Sequence, residues 1–400
     1  MPVLFDKDIE RELHELRASV LDRRPHVLGS SQQPEVLVDG RRVIGLCSNN
    51  YLGLADHPDL VAAAEAALRA YGVGAAASRL VSGTMDLHLQ AEQRLTRFVG
   101  LESGLLFSSG YAANTGAIQA LAGSSDVLFS DSLNHASIID GCRLSRARVE
   151  IYRHCDPAHL QQLLSQRRAG SRRALVISEA VFSMDGDMAP LPELRHLCDL
   201  HNAALYVDEA HALGVLGRHG QGLCAYRHIR PDVLVGTLGK AFGAAGGFVA
   251  GSANTVDIIK NRARSYFFST APLPVQAALA LSAADLVERA DDRRERLLGH
   301  AARLRRALSE MGYEIPDGTT PIIPILVGEP EAVMRLSACL LEKNVFVQGI
   351  RPPTVPRGTS RLRLAPIASH QESHIDRAID AFRSALPDYL SSRGPQRCHR

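Results

Sequence analysis

From Ile44 onward the chain alternates short apolar runs with stretches of helical length, and this alternation limits its possible folds more than any other feature. Strands separated by helices assemble as a mostly parallel sheet covered on both faces. Strand-like runs occur at 104–107, 126–130, 174–178, 204–207, 233–236 and 248–250. Pro58 begins an amphipathic helix carrying Leu60, Ala64, Leu68 and Tyr71, and another runs from Asp86 to Val99 with Gly100 as its stop. The expected architecture is α/β. Residues 1–45 form an N-terminal arm with a charged helix over 8–21 and a hairpin at Asp39-Gly40. Residues 46–285 form a large domain, 286–390 a smaller α+β domain ending in a helix over 372–386, and 391–400 a tail.

A chain of 400 residues is long enough for that division. Its formal net charge of +2 and dispersed arginines give no general attraction for nucleic acid or an anionic membrane. The seven cysteines lie far apart with no C-x-x-C pair, which reads as reduced thiols in a cytosolic protein, and no metal is expected. The first twelve residues are too charged for a signal-peptide core. The most apolar stretch, 275–287, contains Gln276, Ser282 and Asp285, so a soluble protein is expected.

In such sheets ligands gather at the carboxyl ends of the strands. Lys240 lies there, in Thr237-Leu238-Gly239-Lys240-Ala241-Phe242-Gly243. A lysine between small residues can be approached closely by a bound carbonyl compound, as a Schiff-base lysine must be, although solvated loop lysines share the pattern. Asp208 ends the run 204–207, where a carboxylate can face a ligand or cap a helix. Asp208-Glu209-Ala210-His211 also spells the acidic box of certain helicases. That reading needs a G-x-x-x-x-G-K-[ST] loop and a basic groove, and Lys240 is followed by Ala241. Read together, Asp208 and Lys240 fit pyridoxal phosphate chemistry, in which a lysine forms an imine with the cofactor and a carboxylate keeps the pyridine nitrogen protonated.

These two segments, within a similarity extending from about Leu46 to about Pro366, resemble the α-oxoamine synthases. Those are fold-type-I, aspartate aminotransferase-like pyridoxal phosphate enzymes that condense an amino acid with an acyl-coenzyme A. The resemblance makes Lys240 the imine lysine and base, Asp208 the partner of the ring nitrogen, and His211 and Ser183 partners of the phenolic oxygen. It places His135, in Asn134-His135-Ala136-Ser137, against the ring. Gly110-Tyr111 opens a helix whose backbone N–H groups suit a phosphate, and Thr237 is a further phosphate contact. Asn49 and Arg363 match positions that receive the substrate carboxylate, a role that suits a bidentate arginine. Arg23, or its neighbour Arg24, matches an acyl-chain contact. Thr354, in Pro352-Pro353-Thr354-Val355-Pro356, matches a substrate contact on a rigid bend.

Residues 350–364 are similar to the family member that joins L-alanine to pimeloyl-coenzyme A. Residues 47–54 and 134–141 are at least as close to the member that joins glycine to acetyl-coenzyme A. The first pair of substrates is expected, because 351–363 should lie nearest the acyl chain. The resemblance also implies a homodimer with active sites at the subunit interface. An inactive binding module of the same fold would be expected to lack one of Lys240, Asp208, His211 or His135, and all four are present.

Overall fold

Strand and helix patterning resolves into thirteen strands among the described residues of the computed structural model, which describes residues 4–392. They are β1 (Glu35–Val38), β2 (Arg41–Gly45), β3 (Ser103–Phe107), β4 (Val127–Asp131), β5 (Arg148–Tyr152), β6 (Ala174–Glu179), β7 (Ala204–Asp208), β8 (Val233–Thr237), β9 (Gly247–Gly251), β10 (Ile323–Gly328), β11 (Val345–Phe346), β12 (Gln348–Ile350) and β13 (Ser360–Leu364). Contacts divide the chain into two units: 49–183 with 187–295, and residues up to Ser48 with 184–186 and everything from Arg296 on.

The larger unit holds a seven-stranded sheet in the order β3-β9-β8-β7-β6-β4-β5. Every neighbouring pair is parallel except those made by β9, which runs against both β3 and β8. All residues of β4, β6 and β9 are buried, as strands covered on both faces require. The edge strand β5, with Arg148, Val149, Glu150 and Ile151 not buried, escapes the sequence reading because its charged, half-solvated pattern carries no apolar run. Helix Pro274–Glu288 packs on helices Pro58–Tyr71 and Asp86–Val99 within this unit. The boundary expected near residue 285 falls inside that packed helix, whereas the contacts divide the chain at 295/296, within helix Asp291–Glu310.

The smaller unit contains two three-stranded sheets, β10-β13-β12, which is antiparallel, and β1-β2-β11, in which β11 runs parallel to β2. The hairpin expected in an N-terminal arm is thereby tied to β11. Leu304, Leu308, Ile323, Ile325, Leu336, Leu362, Leu364 and Phe382 fill the core between the sheets' apolar faces and the helices Pro330–Glu342 and Glu372–Ser392. That last helix runs past Pro387, where the sequence suggested a stop. Tyr389 is fully buried with its ring 4.5 Å from that of Tyr313, so packing overrides the proline. The tail expected from Ser391 therefore starts within a helix, and 393–400 lie outside the described residues. The N-terminal helix is Leu4–Ala18 rather than 8–21, and none of its residues is buried.

His370, just before the last helix, is 4% exposed and accepts the Ile367 N–H at Nδ1 over 2.9 Å. Burial, reinforced by the neighbouring His374, lowers its pKa from 6.5 to about 4. The unfolded chain therefore takes up a proton that the folded one refuses. The stability this site contributes is complete above pH 6.5 and disappears as the pH falls toward about 4. The loss should be roughly 3 kcal/mol. Urea midpoints at pH 7 and pH 4.5 should separate more for the wild type than for His370→Gln, and equal separations would contradict the assignment.

Among the described residues no helix is long and apolar enough to cross a membrane.

Candidate active site

Three neighbouring parallel strands, β6, β7 and β8, deliver polar groups at their carboxyl ends: Glu179, Asp208 and Thr237. Asp208 is 5% exposed. Its Oδ2 accepts from Asn114 Nδ2 at 2.7 Å and its Oδ1 from the Ala210 N–H at 2.9 Å. Asn114 is held in turn, since its amide oxygen accepts from Tyr206 Oη at 2.8 Å and its nitrogen also donates to Ser137 Oγ at 2.9 Å. A buried network with every partner satisfied fixes the carboxylate in one orientation.

Lys240 follows β8 in a turn and is half-buried. Its Nζ lies 2.7 Å from His211 Nε2, while His211 Nδ1 lies 2.7 Å from Tyr51 Oη, and Tyr51 Oη donates to Asn49 Oδ1 at 3.2 Å. Residues far apart in the sequence of this unit thus meet in one chain of hydrogen bonds. His135 caps helix Ala136–Ser145, its Nδ1 accepting from the Ser137 N–H at 3.2 Å. Desolvation of the imidazole lowers its pKa, with the Asp208 carboxylate opposing the shift and the Lys240 ammonium adding to it, so all three groups share one field.

Ser109 caps helix Gly110–Leu121 by accepting the Ala112 N–H at 3.0 Å, while the Gly110 and Tyr111 N–H groups have no carbonyl one turn back to receive them. Glycine is required by closeness at 247, where a Cβ would stand 2.5 Å from Gly110 N, while a Cβ on Gly110 would be in ordinary contact, 3.4 Å from Thr237 Cβ. Gly110 and Thr237 are therefore neighbours across a narrow cradle. Tyr111 is exposed and donates its hydroxyl to Asp140. Ser183 sits half-buried on the turn after β6, where Phe182 N–H donates to Asp187 O at 3.0 Å. His154 pins that turn, with Nδ1 2.9 Å from Asp131 Oδ1 and Nε2 2.7 Å from Asp187 Oδ2. Burial opposes protonation of His154, but the two carboxylates prevail and push it up to about 12.

The other expected residues belong to the smaller unit. Arg23 Nη2 donates to Thr354 Oγ1 at 3.2 Å, whereas Arg24 turns to Asp22 and is 82% exposed, so Arg23 and not Arg24 faces Thr354. Arg351 donates to the carbonyls of Val20 and Asp22 and holds the segment that carries Arg23. Arg363 is buried on β13, where its charge acts on the Cys47 thiol; burial chiefly pushes that thiol to about 11.

The sequence reading passed over two residues, Tyr51 and Asn114. Asn114 had a signal: a lone amide in the apolar face of Gly110–Leu121 must find a buried partner. Glu209, of the acidic box, is a structural anchor whose carboxylate accepts the N–H groups of Leu223 and Cys224 at 2.9 and 2.6 Å.

The donor set fits pyridoxal phosphate. It offers a lysine amine, a strand-end carboxylate, and a helix N-terminus with a facing hydroxyl in a cradle that side chains would fill. The family model for class I and II aminotransferases matches residues 41–382. A curated 8-amino-7-oxononanoate synthase from Geobacter sulfurreducens is 50% identical over 380 residues, 94% of this chain and 97% of its own. Another from Anaeromyxobacter dehalogenans is 47% identical over 97% of this chain and 98% of its own. Among solved structures, a serine palmitoyltransferase from S. paucimobilis with bound PLP superposes with a TM-score of 0.92 at 31% identity, covering 98% of this chain and all of its own. An 8-amino-7-oxononanoate synthase from Francisella tularensis superposes with a TM-score of 0.74 at 27% identity over 86% of this chain and 98% of its own.

Proposed function

The chain belongs to the class I and II aminotransferase family, and from that premise we propose that it condenses L-alanine with pimeloyl-coenzyme A, releasing 8-amino-7-oxononanoate, coenzyme A and carbon dioxide. The observation that carries this reading is near-full-length identity of 50% and 47% to two enzymes named for that product. This assigns the protein to biotin biosynthesis. The cofactor is pyridoxal phosphate, which when bound supplies an electron sink for negative charge at the α-carbon of the amino acid.

The residues take the following roles. Asp208 holds a proton on the ring nitrogen, and its rigid seat on Asn114 keeps it aligned. His211 and Ser183 hold the phenolic oxygen, and His135 covers one face of the ring. Thr237 and the N-terminus of Gly110–Leu121 at Gly110 and Tyr111 hold the phosphate. Lys240 is the covalent anchor and the base that takes the α-proton. Asn49 and Arg363 receive the amino-acid carboxylate. The Arg23–Thr354 pair offers a guanidinium and a hydroxyl to the far end of the acyl chain. That pairing favours pimeloyl, which ends in a carboxylate, over acetyl, which has none.

We also propose a homodimer, supported by a first helix that keeps Leu4 and Phe5 exposed and buries nothing in its own chain. Only monomer in sedimentation at working concentration would count against it. The described cysteines are all free, which fits a reducing, cytoplasmic setting.

The test is thiol release by the purified, cofactor-loaded protein, crossing L-alanine, glycine and L-serine with pimeloyl- and acetyl-coenzyme A. Turnover confined to L-alanine with the pimeloyl donor is expected. Turnover with glycine and the acetyl donor instead would overturn the substrate assignment.

A further inference from the structure

His211 stands between two hydrogen-bonding groups of different character. Lys240 Nζ, 2.7 Å from Nε2, is a donor when protonated, so that contact requires the lone pair on Nε2 and the proton on Nδ1. Nδ1–H then donates to Tyr51 Oη at 2.7 Å, and the Tyr51 hydroxyl passes its own hydrogen on to Asn49 Oδ1 at 3.2 Å. The proposed role of His211 against a phenolic oxygen demands the opposite arrangement, with the proton on Nε2 and the lone pair on Nδ1. A buried imidazole can adopt both only if its Nδ1 partner can accept in one state and donate in the other. A hydroxyl can do that by turning its hydrogen, whereas a carboxylate only accepts and an ammonium only donates.

We propose that Tyr51 is a positioning residue that lets His211 exchange tautomers, so that Nε2 accepts from the Lys240 amine in one state and donates to the cofactor's phenolic oxygen in the other. Tyr51 is fully buried and His211 is 4% exposed, so water is poorly placed to substitute for the hydroxyl. Of the ionisable groups near His211, Tyr51 and Lys240 touch it directly, and Asp208 lies three residues before it in the chain. The neighbouring Glu209 carboxylate is committed to the Leu223 and Cys224 N–H groups and does not compete. The inference rests on the pyridoxal phosphate reading above and adds to it a residue that acts through His211.

Two measurements other than turnover test it. In Tyr51→Phe, His211 loses the partner that supports its donating tautomer, and the phenolic oxygen becomes more basic. The pH midpoint of the cofactor's visible absorption change should rise by at least about half a unit, and cofactor affinity of the stripped protein should weaken about fivefold, the size of one lost hydrogen bond. In a His211→Asn background the same change at Tyr51 should move the midpoint no further. An unshifted midpoint in Tyr51→Phe, or full additivity of the two changes, would overturn the proposal.

The second measurement needs no change at Tyr51. Side-chain ¹⁵N spectra of the wild type, with the His211 signals identified by their loss in His211→Asn, should show the Nδ1–H form without pyridoxal phosphate and the Nε2–H form with it. One tautomer in both states would defeat the inference and leave the cofactor reading intact. A wild type with no visible cofactor absorption would remove both.

Discussion

With Lys240 replaced by alanine, thiol release from L-alanine and pimeloyl-coenzyme A should fall by roughly 10⁴-fold, the upper end of what a positioned proton-transfer group contributes. The size follows from the double duty proposed for this amine, which would both anchor the cofactor and remove the α-proton. Lys240→Arg should be just as inactive. It restores a cation beside His211 but cannot give up its proton at any working pH, so the pair of variants separates charge from proton transfer. Neither change should unfold the protein. Lys240 is half-buried in a turn, and the β8 pairings to β7 and β9 on either side of it are made by backbone. The checks are stopped thiol assays at saturating substrate with thermal midpoints alongside. Activity within tenfold of wild type for either variant would remove Lys240 from the mechanism.

Lys240 and Asp208 were legible in the sequence for a physical reason. Each follows a short apolar run, and in a parallel sheet the residue after such a run stands at the ligand-facing edge whatever the rest of the fold does. The sheet was legible on the same grounds, because β4, β6, β7, β8 and β9 are almost wholly buried and, apart from the polar residues at their carboxyl ends, apolar. Tyr51 was not legible, and Asn114 only as a buried amide in need of some partner. Their work is done through contacts 160 and 94 residues away along the chain, and local pattern says nothing about which distant side chain a buried hydroxyl or amide will meet. The choice between Arg23 and Arg24 is of the same kind. Adjacent arginines are equivalent as sequence, and only the Thr354 hydroxyl and the Asp22 carboxylate sort them. The extension of the last helix beyond Pro387 likewise depends on Tyr389 packing on Tyr313, two residues far apart in the chain.

Asp208→Asn should lower kcat by about 10²–10³-fold, the range seen when one preorganised electrostatic partner is removed, with little change in KM for the acyl donor. Asparagine has nearly the shape of aspartate, but the surrounding donors are set for two acceptors. Asn114 Nδ2 approaches one oxygen and the Ala210 N–H the other, so whichever way the new amide turns, its nitrogen meets a donor. Asn114 can turn to help only by giving up the hydrogen bond its oxygen accepts from Tyr206 Oη. The mismatch should cost roughly 1–3 kcal/mol of stability. Loss of stability and loss of charge are thus confounded in the single variant. The double variant Asp208→Asn, Asn114→Asp separates them: the new carboxylate can accept from the amide at 208 and from the Tyr206 hydroxyl, which restores the pairing, while the negative charge moves from the strand end to the helix. Its thermal midpoint should return toward wild type and its kcat should not. Recovery of kcat together with stability would show that Asp208 serves the fold alone, because the proposed role needs the charge at the end of β7 and a carboxylate on the neighbouring helix would not supply it there.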